Sequence, residues 1–157
     1  MPQLTGIHHV KFPVSDLAAS RAWYERVFGF EVTIEFPDEQ GIVRGLAGTA
    51  WGLGEVGLGL RENPAAAAGI RGFDPVSFGV EDKAAAEEWA AHLDSLGIEH
   101  SPVIDATIGW ILVFHDPDGT EIHLYSFAAH GIDQSGRKGY GHPTTPGSQD
   151  WRSQHSN

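Results

Sequence analysis

The chain of 157 residues has no cysteine. Disulfides, thiolate zinc sites and thiol nucleophiles are therefore excluded together, and imidazole and carboxylate remain as the side chains able to hold a metal. Positive charge is scarce: ten Lys and Arg stand against 21 Asp and Glu, for a formal charge of -11. Such a field repels phosphodiester backbones, so a DNA or RNA partner is excluded. No apolar run approaches the roughly 20 residues that cross a bilayer, and MPQLTGIHHV has neither the basic nor the apolar region of a secretory signal. These absences predict a soluble cytoplasmic protein without membrane contact. Its length and its 41% hydrophobic content fit one domain with a substantial core.

What is present begins with IHHVKFPV, Ile7 to Val14, an alternating run rich in strand formers. SDLAASRAWYERVFGF follows, with a capping Ser15 or Asp16, a helix expected over Asp16 to Phe28, and Gly29 as its stop. Three strand-like runs come next, Glu31 to Phe36, Gly41 to Leu46 and Glu55 to Arg61. PAAAAG, from Pro64, reads as a connector, after which the order starts again. Val76 to Val80 is a strand, Lys83 to Leu96 a helix behind an Asp82 cap, and Ile98 to Val103, Gly109 to Phe114 and Thr120 to Ser126 are strands. DPDG makes the tight turn between the last two. Val14, Asp16 and Trp23 fall on Val80, Asp82 and Trp89 at one constant offset, and FGFEV falls on LGIEH after a two-residue insertion. A repeat of this length predicts two β-α-β-β-β modules that each leave a sheet face to cover.

From residue 128 the chain reads AAHGIDQSGRKGYGHPTTPGSQDWRSQHSN, a composition that predicts a flexible polar tail with Tyr140 and Trp151 as candidate anchors. Its histidines, His130, His142 and His155, are spaced too widely for one compact site and read as solvated, as do His100 and His115 beside turns. His8 is expected to pack toward the helix layer, with His9 and Lys11 on the opposite strand face. Period two also puts Glu121, His123 and Tyr125 on one face of the closing strand.

HHVKFPVSDLAASRAWYERVFGFEV and DPDGTEIHLY resemble the opening strand and helix and the closing strand of the vicinal oxygen chelate superfamily, which includes glyoxalase, bleomycin-resistance, fosfomycin-resistance and extradiol dioxygenase proteins. The resemblance covers residues 5–127. It implies an α+β fold of two tandem modules, about 5–63 and 72–127, forming a glyoxalase-like half-barrel, with residues 128–157 outside it as a tail. Carried over residue by residue, it implies that His9 and His123 are the metal ligands, and that Pro75 and Gly59 stand where two further ligands would be. That set is incomplete. Two neutral imidazoles leave a divalent ion with uncompensated charge, so any nickel, cobalt, manganese, iron or zinc would be held loosely.

The first functional expectation is a bleomycin-resistance-like protein that binds a small organic molecule without chemistry. Its cavity would be lined by Lys11, Trp51, Gly59, Pro75 and Trp110, and the acidic surface would draw in a cationic ligand. The alternative is a divalent-metal-dependent lyase, isomerase or ring-cleaving dioxygenase using His9 and His123, with Glu121 or Tyr125 moving a proton. A third places a metal-free general base at His9 or His123. Whether the chain is an enzyme stays open at this point. The resemblance further implies a homodimer.

Overall fold

A computed structural model describes residues 1–142 and 144. Strand β1, His9–Val14, alternates as its composition requires, with Phe12 and Val14 buried and His9 and Lys11 in solvent. Helix α1, Leu17–Phe28, starts at Asp16, whose carboxylate accepts the Ala19 backbone N–H, and stops at Gly29 in the left-handed region. That glycine is required twice over. Its φ is 60°, and a Cβ there would lie 2.0 Å from Cε2 of Trp51, whose ring rests on it.

Strands β2, Glu31–Pro37, β3, Val43–Thr49, and β4, Gly57–Glu62, complete a mixed sheet of order β1-β4-β3-β2 in which β1 and β4 run parallel. Phe12, Val14, Leu46, Leu58 and Leu60 are buried on one side of it with Trp23, Tyr24, Val27 and Phe28 of α1. The Phe12 and Tyr24 rings lie 5.4 Å apart. The segment expected to be a plain connector is a short helix, α2, Pro64–Gly69, with Asn63 capping the Ala66 N–H and proline in its first turn.

The second sheet follows the same order, β5-β8-β7-β6. It contains β5, Ser77–Val80, β6, Ile104–Asp105, β7, Gly109–His115, and β8, Glu121–Ala129, with β5 and β8 parallel. Helix α3, Lys83–Ser95, lies between β5 and β6 in sequence. The strand expected over Ile98 to Val103 does not form. A single bridge joins His100 to Phe114, and beyond it the Ser101 side chain takes the Val113 N–H that a ladder would have used. Pro102 then offers no donor.

The chain divides into two compact units, residues 1–76 with 115–122, and residues 77–114 with 123 onward. The first holds the DPDG turn. Asp116 is 5% exposed and accepts from the Tyr24 hydroxyl at 2.9 Å and from the Asp118 and Thr120 backbone N–H groups at 3.0 Å. Burial, acting more strongly than these bonds, raises the Asp116 carboxyl above the usual carboxylate value. Burial, followed by the Asp116 charge, drives the Tyr24 phenol well above its ordinary range.

In the second unit the first part of the expected tail is tied down. Gln134, 3% exposed, donates to both the backbone oxygen and the carboxylate of Asp105, and Arg137 pairs with the same carboxylate at 3.1 Å. Tyr140 lies under the Arg137 guanidinium at 4.1 Å. His130, expected to be solvated, bonds the Ala106 carbonyl at 2.8 Å and meets the Trp110 ring edge-on. His100 is likewise held, 2.6 Å from the Ser101 carbonyl and 3.1 Å from Asp94. His8 is exposed and touches His9 instead of packing under the helix. Trp151 and His155 lie outside the described residues. No described helix is long and apolar enough to cross a membrane.

Candidate functional site

Strand register places the candidate residues of the first unit. On the sheet face turned away from α1, Lys11 is opposite Gly59, Gly59 opposite Ala47, and Ala47 opposite Ile34. In the next row Pro13 is opposite Arg61, Arg61 opposite Gly45, and Gly45 opposite Phe36. His9, opposite Gly57, shares this face by the two-residue period. The centre of the face is thus made of glycine and alanine, which lets long neighbours lie along the sheet. The Lys11 stem passes 3.5 Å from the position a Gly59 Cβ would take, and Arg61 Nη1 lies 3.3 Å from the corresponding point at Gly45. Ile34 and Phe36 are 53% and 46% exposed. The face carries two cations beside two apolar side chains, so its local sign is opposite to that of the whole chain.

A second group of donors gathers along β8. One ligand atom each of Asp74, Glu121 and His123 lies within 4.8 Å of the others, and among the described residues this is the one group of three or more metal-ligating side chains. The pleat gives Glu121 and His123 a common side, and Ser77 of β5 is opposite His123. Asp74 precedes β5 and arrives next to them because the Glu121 N–H donates to the Phe73 carbonyl, pinning that segment to the start of β8. His115 Nε2 stands 3.4 Å from Glu121 Oε2. Two carboxylates and an imidazole supply two negative charges and hard oxygen donors, which fits a divalent cation better than two imidazoles do.

The family model described as Glyoxalase/Bleomycin resistance protein/Dioxygenase superfamily matches residues 6–124. The chain belongs to this superfamily. Solved structures of other members share the fold. The antibiotic binding protein TnmS3 from Streptomyces sp. CB03234 is 22% identical with a TM-score of 0.64, over 80% of this chain and 98% of that one. Lactoylglutathione lyase from Agrobacterium tumefaciens is 21% identical with a TM-score of 0.63, over 83% and 100%. The fosfomycin resistance protein FosX from Listeria monocytogenes, complexed with Mn(II) and 1S,2S-dihydroxypropylphosphonic acid, is 17% identical with a TM-score of 0.60, over 78% and 93%. No curated protein matches the sequence.

Within this superfamily member, the residues singled out from sequence are placed as follows. Glu121 and His123 are brought together, and Asp74, which sequence reading passed over, joins them. Its signal was faint: it stands one residue before Pro75, the position from which the resemblance implied a missing ligand. His9, Lys11 and Gly59 lie on the first sheet. The Tyr125 hydroxyl accepts the Ile108 and Gly109 backbone N–H groups at 3.0 and 3.3 Å, so it pins the start of β7. Trp110 shares the β7 side that buries Leu112 and Phe114, with the Lys83 ammonium 4.8 Å from its ring centroid. Trp51 covers the end of α1.

Proposed function

We propose that the protein binds a small organic molecule on the face of its first sheet turned away from α1. The observation that supports this is the placement of half-exposed Ile34 and Phe36 beside the flat Gly45, Ala47 and Gly59 centre. Apolar area left in water costs about 25 cal/mol per Å², which a bound molecule recovers. The other expected lining residues contribute less: Trp51 covers Gly29, and Trp110 stands with Lys83. The test is fluorescence titration with N-phenyl-1-naphthylamine, a neutral aromatic probe. Saturable binding that weakens at least about tenfold in Phe36→Ser is expected, given roughly 1.5–3 kcal/mol for a full aromatic burial. Binding that ignores the substitution sinks the proposal. A homodimer is the assembly proposed with this reading, and sedimentation equilibrium checks it.

A second reading is favoured by the group on β8. Asp74, Glu121 and His123 would hold a divalent cation, with the His115 imidazole 3.4 Å from the Glu121 carboxylate. When bound, the ion supplies Lewis-acid polarisation of substrate oxygens, the chemistry a lyase, isomerase or ring-cleaving dioxygenase needs. In this arrangement Asp74 provides the charge that the His9 and His123 pair lacks. Isothermal titration with manganese, iron, nickel, cobalt and zinc decides it. Submicromolar binding that disappears in His123→Ala and in Asp74→Ala supports the metal enzyme. Weak binding that both variants leave unchanged leaves the binding protein standing.

A further inference from the structure

Resting on that first reading, we infer that the molecule bound on the first sheet carries an anionic group, a carboxylate, sulfonate or phosphate, that Lys11 and Arg61 engage while its apolar body lies against Ile34 and Phe36. Of the first unit's lysines and arginines, Arg26 and Arg71 also lack an ion pair among the described residues, and Lys11 and Arg61 are the two that share this sheet face. Arg21 is taken by Glu25 and Glu35, and Arg44 by Asp38 and Glu62. Lys11 and Arg61 have no carboxylate partner among the described residues, in a chain where acids outnumber bases 21 to ten.

Register also makes them near neighbours. Lys11 is opposite Gly59 on β4, and Arg61 follows Gly59 by two residues on the same side. Two like charges this close repel unless an anion comes between them. Their stems lie along the sheet over Gly59 and Gly45, 3.5 and 3.3 Å from where a Cβ would stand at each. The β2 acid that shares the face, Glu31, is opposite Thr49, at the far end of the strand from Phe36. A guanidinium offers paired N–H donors to a planar or tetrahedral oxyanion, and the ammonium adds a point charge. The apolar side chains on β2, two strands from Arg61 and three from Lys11, accept a ring or an acyl body that reaches about 10–15 Å across the face, since neighbouring strands are roughly 4.8 Å apart. This reading is the opposite of the expectation from net charge that a cationic ligand is preferred.

Two probes with the same ring pair separate the contributions in the full chain. 8-Anilinonaphthalene-1-sulfonate carries the anion, and N-phenyl-1-naphthylamine lacks it. The sulfonate probe is expected to bind about tenfold more tightly at low salt, with Lys11→Gln and Arg61→Gln each removing about tenfold of its affinity. The neutral probe should bind both variants as it binds the unaltered protein, and added salt should weaken the sulfonate probe alone. Sulfonate binding that is unchanged or tighter in the Lys11→Gln, Arg61→Gln double variant overturns the anion inference while leaving the site intact. Binding of both probes that is absent, or that Phe36→Ser leaves untouched, overturns the binding reading itself. Circular dichroism of each variant accompanies the titrations.

Discussion

The two modules repeat one order of elements but are held together differently, as their helices show. Helix α1 buries Leu17, Ser20, Trp23, Tyr24, Val27 and Phe28, whereas α3 buries Ala86 and Leu93. Trp23 and Trp89 occupy equivalent sequence positions. Trp23 is 8% exposed, with the Tyr24 and Phe28 rings 4.9 and 6.1 Å away. Trp89 is partly exposed and meets His92 edge-on. The first module relies on aromatic packing. In the second, KAAAEEWAAHLDS is helical largely through alanine's intrinsic preference. Its sheet is reinforced by side chain to backbone bonds: Ser126 Oγ accepts the Trp110 N–H and Ser101 Oγ the Val113 N–H. Duplicated topology therefore does not imply duplicated energetics.

The most severe test of that contrast is the tryptophan pair. Trp23→Ala should cost about 3–5 kcal/mol, the usual range for a buried aromatic, and Trp89→Ala about 1–2. Urea unfolding of both measures it, and equal losses would break the comparison. Next in size is the first unit's Asp116. Asp116→Ala leaves buried donors unmet and should cost about 2–3 kcal/mol, while Asp116→Asn keeps an acceptor for the two backbone N–H groups and should cost less.

The sign of the pH effect follows from the raised carboxyl. Its protonated form is favoured by folding, so its contribution is full below the ordinary aspartate value of about 3.9 and is lost as pH rises through the raised one. The melting-temperature margin of wild type over Asp116→Asn should accordingly widen as pH falls through that window. A margin that stays constant or shrinks would show that another group controls it.

The helix stops give a smaller contrast. Gly97, like Gly29, has a positive φ, 68° against 60°, but a Cβ at Gly97 meets nothing within 4 Å. Gly97→Ala should cost about 1 kcal/mol from backbone strain alone, and Gly29→Ala about 2, because Trp51 must also move. The least effect is expected from Arg137→Ala. Its half-exposed pair with Asp105 is worth at most about 1 kcal/mol, so thermal melting should fall by a few degrees at most. A large loss would mean that residues 130–141 belong to the core of the second unit.

Much of this architecture was legible because it rests on local signals. Asp16, Asp82, Gly29 and Gly97 mark helix ends by chemistry that depends on neighbours in sequence. The cap at Asn63 with Pro64 behind it was equally local, and the short helix it starts was hidden only by the loop-like look of PAAAAG. Ile98 to Val103 went the other way: its residues have strand preference, but Ser101 and Pro102 consume or lack the groups a ladder needs. The candidate site was less legible. His123 and Glu121 follow from the pleat, whereas Asp74 reaches them through one backbone bond from Glu121 to Phe73. The Asp105 anchor of Gln134 and Arg137 depends on a pairing across more than twenty-five residues, which composition does not reveal.

The Tyr24 to Asp116 bond has a consequence for how the gene can be cut. The sequence repeat invites division near residue 70, yet the turn that satisfies Tyr24 is encoded ninety-two residues later. A fragment ending at 76 would therefore present an aromatic helix with its buried hydroxyl unmatched and should accumulate as insoluble material. Supplied separately as a peptide, the segment from His115 to Ile122 becomes a complementing piece, so the protein is a natural scaffold for a split reporter whose two parts regain solubility only together.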